Sequence, residues 1–175
     1  MVTAGRHREA DGRFFSHEWA AADDPESQQV VERYAQILRG YPLPARIPVM
    51  RFVQSFDLRG ALLDGFFVDE GARTVAMSIY SGDRRSEHNL LKILHEDASV
   101  EAGDRQIFES VLVSKGPQIR YDEFDFGLGL DGQECCRHRY LFWPVHQGEG
   151  AIEFSRISWA LRPVQERPRD AERRI

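Results

Sequence analysis

The spacing of apolar residues along the chain changes several times, and each change marks an element. From Asp24-Pro25 to Gly40, the positions Val30, Val31, Tyr34, Ile37 and Leu38 recur with helical period. Asp24 can cap this helix, Pro25 suits its first position, and Glu26 complements its dipole. Gly40 ends it, and Tyr41-Pro42-Leu43-Pro44 forces a turn or an extended linker. A second helix is expected from Pro48, because Val49, Phe52, Val53 and Phe56 fall at i, i+3, i+4 and i+7. A strand is the alternative there, since Val and Phe also favour sheets.

After Gly60 the period becomes two. Leu62, Phe66 and Val68 predict one strand, and Asp69-Glu70-Gly71 supplies a turn. Val75, Met77 and Ile79 predict a second, and Leu91, Ile93 and His95 a third, so the three read as a meander. From Asp104 to Lys115 the period is helical again, with Ile107, Phe108, Val111 and Leu112 on one side and Gly116-Pro117 as the stop. Strands are then expected over Gln118–Phe126 and Cys136–Trp143, joined by the glycine-rich stretch from Gly127 to Gly132. The last strand, from Ala151 to Leu161, slips in phase. Ile152 and Phe154 alternate on even numbers, whereas Ile157, Trp159 and Leu161 alternate on odd ones. One extra residue near Ser155-Arg156 restores a single buried face, which predicts a bulge; a bend serving two faces is the other solution. The expected fold class is therefore α+β: about six mostly antiparallel strands, two N-terminal helices, and one helix between strands three and four.

Composition adds bounds. A chain of 175 residues with 42% hydrophobic and 11% aromatic residues fits one domain with a full core. The polar ends read as a loose segment over 1–12 and a charged, disordered tail over 164–175, leaving a domain over 13–163. The net charge of −5, with a pI near 5.7, argues against nucleic acid. No apolar run reaches membrane-spanning length, and no secretory start is evident, so the expected location is the cytoplasm. The adjacent Cys135 and Cys136 point to opposite strand faces and read as reduced thiols.

Several segments resemble an uncharacterised bacterial protein family, a domain of unknown function. Its members open with an aromatic-Phe-Thr-Lys-Glu-Trp string, matched here by Phe14-Phe15-Ser16-His17-Glu18-Trp19. Its Tyr-Asp-Glu motif is matched by Tyr121-Asp122-Glu123, its His-Arg-apolar strand by His138-Arg139-Tyr140-Leu141-Phe142-Trp143, and its closing Glu-Ile-Glu-aromatic strand by Ala151-Ile152-Glu153-Phe154. Leu58-Arg59-Gly60-Ala61 stands where such proteins place Leu-His-Asp-Ala, so a His-Asp pair is missing. The resemblance implies an α+β fold and carries no activity.

The richest polar grouping sets Asp122, Glu123 and Asp125 against Arg137, His138 and Arg139 across a hairpin, with Glu153 able to join. A carboxylate beside a histidine is the pairing that acid–base chemistry needs, while opposite charges across strands also simply fix register. Asp122, Glu123, His138 and Glu153 are thus the candidate ligand-binding residues, with no catalytic residue assigned. His95-Glu96-Asp97, with His88 upstream, offers metal-ligand types, but successive strand residues diverge and no metal site is expected. Cys136 and His138 share a face at about 7 Å, too far for a nucleophile–base pair. Gly127, Gly129 and Gly132 read as turn glycines rather than a phosphate loop, and Phe142, Trp143, Phe154 and Trp159 as core rather than a base-stacking platform. The expectation is a non-enzymatic accessory or protein-interaction protein without a cofactor, one version being an immunity-type protein that binds a basic toxin. The alternative is a small-molecule binder or hydrolase using His138 with Asp122 or Glu123. The partner expected is another protein, with the oligomeric state open.

Overall fold

A computed structural model of the chain describes residues 26–40, 46–81, 88–114, 117–128, 134–143 and 148–164. The segment 1–12, the string at 14–19, the Asp24-Pro25 cap, the Tyr41–Pro44 turn, the tip of the glycine linker and the tail beyond Val164 lie outside the described residues. The elements run α1 (Glu26–Gly40), α2 (Arg46–Ser55), β1 (Leu62–Asp69), β2 (Thr74–Ser81), β3 (His88–Glu96), α3 (Ala102–Ser114), β4 (Gln118–Leu128), β5 (Glu134–Trp143), β6 (Glu149–Phe154) and β7 (Arg156–Val164). The class is α+β, and every strand pairing is antiparallel.

Two details depart from the expectation. The helices are placed differently at their starts: α2 begins at Arg46, so Pro48 falls inside its first turn, where its missing N–H costs nothing. Helix α3 begins at Ala102, ahead of Asp104. There are also seven strands rather than about six, because the stretch expected as one final strand is two, separated by Ser155.

That single residue shapes the molecule. The sheet order is β6-β5-β4-β1-β2-β3-β7, so its two edge strands are consecutive in sequence. A sheet whose edges are one continuous stretch must curl round on itself like a barrel. Ser155 inserts between the buried Phe154 and the buried Ile157, and so the even-numbered apolar set of β6 and the odd-numbered set of β7 enter the same core. The junction is pinned by the backbone: Ser155 N–H donates to the Glu96 carbonyl at 3.1 Å, and Ser99 and Glu153 exchange bonds of 2.9 and 3.0 Å.

The ring is weakest between β1 and β4. There the register gives one pair, Leu62 with Gln118, flanked by backbone bonds Gly60 to Ile119 and Ile119 to Ala61, both 2.8 Å. Further along, α1 reaches across, and the Tyr34 hydroxyl accepts the Phe124 N–H at 2.6 Å.

Helices plug the interior. Phe52 of α2 meets Phe124, His138 and Trp159 edge-on, with centroids 5.4 to 5.6 Å apart. Phe108 of α3 stacks on Phe66 at 4.5 Å and lies against Gly150, where any Cβ would sit 2.8 Å from the ring. Each such aromatic contributes on the order of 1.5–3 kcal/mol by burial. Of the aromatics expected in the core, Phe142 and Phe154 are buried and Trp159 is half-buried, but Trp143 is 47% exposed. The correction follows from strand parity. Cys136, His138, Tyr140 and Phe142 point inward, so Trp143 points out, beside the Arg120 guanidinium.

Candidate functional site

The β4–β5 hairpin carries the polar grouping, and a bulge decides where each member points. The register shifts between Ile119 and Tyr121, which turns Asp122 and Phe124 inward and Glu123 and Asp125 outward. The four candidates therefore do not form one site. Asp122 and His138 lie on the inner face, Glu123 and Glu153 on the outer one.

Inside, His138 is wholly buried and is the centre of a chain of polar contacts. Its Nε2 lies 3.0 Å from Asp122 Oδ2. Its Nδ1 lies 2.8 Å from the Tyr140 hydroxyl and 3.4 Å from Nε2 of His95, which is also fully buried. The Phe124 ring stacks on the imidazole at 3.8 Å. Burial in this apolar setting holds both imidazoles well below their ordinary pKa, and the neighbouring ring lowers His95 further. Burial, with the Asp57 carboxylate adding to it, pushes Asp122 up to about 7. Asp122 keeps 18% of its side-chain surface exposed, so it joins the buried chain to solvent. The space beside it, about 10 Å³, is of one-water size.

Outside, charges pair across three strands. Arg137 donates to Glu153 at 2.7 Å and Arg139 to Asp125 at 2.8 Å, with Glu123 3.8 Å from Arg139. Arg137, Arg139 and Glu153 floor a cleft of about 300 Å³ whose opposite wall is the start of α3. Glu101, Asp104, Glu149 and Glu153 line it against Arg137 and Arg139, so carboxylates are in excess. Asp104 is raised by burial and then by Glu101, although the Ala151 backbone amide and the two arginines oppose this.

The other motifs resolve simply. His95 points into the core, whereas Glu96 and Asp97 face Arg156 at 3.6 and 3.3 Å. Among the described residues, no three His, Cys, Asp or Glu side chains gather as a metal site. Neither cysteine is in a disulfide; Cys136 is buried and Cys135 partly exposed. No helix among the described residues is long and apolar enough to cross a membrane.

Sequence reasoning placed Asp122 beside His138 but did not join His95 or Tyr140 to them. His95 belongs to β3, which meets β5 only because the β6–β7 bend brings them face to face. Tyr140 was hidden inside an apolar run, although its phenol, like any buried phenol, needs a partner. No family model, curated protein or solved structure matches the chain.

Proposed function

We propose that this protein is a non-enzymatic binding protein, and that the outer cleft between β5, β6 and the start of α3 receives a cationic group of a protein partner. The observation that carries this reading is the charge of the cleft: Glu101, Asp104, Glu149 and Glu153 against Arg137 and Arg139. Arg137 and Arg139 are each engaged by a carboxylate at 2.7–2.8 Å, which leaves acidic character for an incoming Lys or Arg. The net charge of −5 acts in the same direction, steering a basic partner before contact. An immunity-type role against a basic toxin is one form of this reading.

The test is co-expression with basic proteins encoded by neighbouring genes, followed by affinity measurement with Glu101→Lys and Glu149→Lys. A cleft-seated partner loses at least tenfold in affinity to either variant, its binding weakens with salt, and the melting temperature of the variants stays near that of the parent. Equal affinity for parent and variants counts against the cleft. A second reading, a small-molecule binder using His138 with Asp122, is favoured by their 3.0 Å contact and the exposed rim of Asp122. It requires a ligand whose binding responds to Asp122→Asn and not to the cleft variants.

A further inference from the structure

A second concavity, of about 480 Å³, lies over the strands β1, β2, β3 and β7, and the register explains its shape. Gly65, Ser78, Lys92 and Ala160 stand in one row across these strands, and Phe67, Ala76 and Leu94 in the next. Side chains alternate along a strand, so both rows face away from the core, which Met77, Ile93 and Trp159 enter from the same strands. Along β2 the outward residues Ala76 and Ser78 are small, whereas Phe67 and Leu94 on either side of Ala76 are large and 65% and 37% exposed. The result is a slot along β2 with apolar walls. Glycine suits position 65, where a Cβ would stand 2.5 Å from the Ser78 hydroxyl.

Charge says what such a slot takes. Among the described residues, Lys92 is the only charged side chain that lines it. Arg162, opposite Leu90, is the diagonal neighbour of Lys92 on the same face. Among the described residues, neither cation has a carboxylate within ion-pair distance. Two carboxylates of this face are already engaged: Asp64 accepts from the Ser78 hydroxyl at 3.1 Å, and Glu96 faces Arg156 at 3.6 Å. In a chain of net charge −5, two unmatched cations beside an apolar slot favour an anion carried on an apolar body. A second copy stacked here about a two-fold axis would bring the same patch to itself, cations included. The basic partner of the outer cleft is repelled for the same reason.

We propose that this slot binds one free amphiphile with a single anionic head, of the class of a medium-chain carboxylate. Its chain lies over Ala76 between Phe67 and Leu94, and its head meets Lys92 and Arg162. The slot shares no residue with the outer cleft and does not depend on it.

The full chain is titrated by calorimetry with decanoate below its micellar concentration, and with decyltrimethylammonium as the cationic counterpart. Decanoate is expected to bind once per chain and at least tenfold tighter than the cation, with an affinity that falls as salt rises. Lys92→Gln combined with Arg162→Gln weakens decanoate at least fivefold. Ala76→Phe, which fills the slot with a residue suited to strands, weakens it at least tenfold. Should Ala76→Phe fail to fold, the Lys92 and Arg162 variant decides, since both positions are exposed. Decanoate binding that is absent, no tighter than that of the cation, or equal in parent and variants overturns the site. Binding of the parent to phosphatidylglycerol vesicles without binding of decanoate overturns it in favour of a membrane surface. A parent that sediments as a dimer while Ala76→Phe sediments as a monomer overturns it in favour of a second copy.

Discussion

Asp104 is the residue where position and chemistry pull apart most clearly. It stands in the first turn of α3, where a carboxylate is favoured by the helix dipole, yet its side chain engages the Ala151 backbone of β6. Burial and Glu101 raise its pKa above the ordinary 3.8. A carboxyl raised in the folded state holds its proton more tightly there than when unfolded. Its contribution is therefore fully present below about 3.8 and is lost as pH rises through the folded value. Asp104→Asn removes this dependence, and its amide oxygen can still accept from Ala151. Urea melts from pH 4 upward are expected to show the variant gaining on the parent and then running parallel to it; a constant difference across that range contradicts the assignment. Asp104 was legible in the sequence only as the start of a helix, because helical period is a local pattern and the contact with β6 is not. The same limit explains why Asp122 and His138 were found together while His95 was missed. Hairpin neighbours follow from register, but a partner on β3 depends on how the whole sheet curls.

At the scale of elements, most of the strands and all three helices could be read from periodicity, since one face of each meets the core. The bulge in β4 escaped notice although its trace is present: Ile119 points inward on an odd number and Phe124 on an even one. Its consequence reaches the candidate site, because it put Asp122 and Glu123 on opposite faces. The phase slip near Ser155 was visible, yet alternation says which side chains are buried and not which strand lies alongside, so the division into β6 and β7 could not be seen. Deleting Ser155 tests this directly. The register pairs Ile93 with Trp159 and His95 with Ile157, and a one-residue deletion turns the inward set of β7 to solvent. The deletion is expected to abolish cooperative thermal unfolding by near-ultraviolet circular dichroism. Ser155→Ala, at an exposed position, should change stability by no more than about 0.5 kcal/mol. A deletion variant that melts within a few degrees of the parent would mean that β7 re-pairs without cost.

At the scale of the molecule, the seam between β1 and β4 is where a curled sheet of this order is least tied. Between β2 and β3, the register runs from Thr74 with Glu96 to Ser81 with Asn89, while β1 and β4 share the single pair of Leu62 and Gln118. Helix α1 compensates by a side chain: the Tyr34 hydroxyl accepts the Phe124 N–H that has no bond across the seam. Phe124 is the same residue whose ring stacks on His138, so α1 is tied through one side chain to the strand that packs against His138. Tyr34→Phe keeps the ring and removes the acceptor. Leaving a buried amide unsatisfied costs about 1–3 kcal/mol, so exchange of the Phe124 amide should accelerate by roughly 5- to 160-fold, as RT sets the conversion. Amides in the middle of β2 and β3 are bonded on both sides and should quicken only as far as global stability falls. If Phe124 and the β2–β3 amides accelerate equally, the seam is no weaker than the rest of the ring and opens only with global unfolding. If Phe124 alone accelerates, the seam is a separate opening unit that parts without global unfolding.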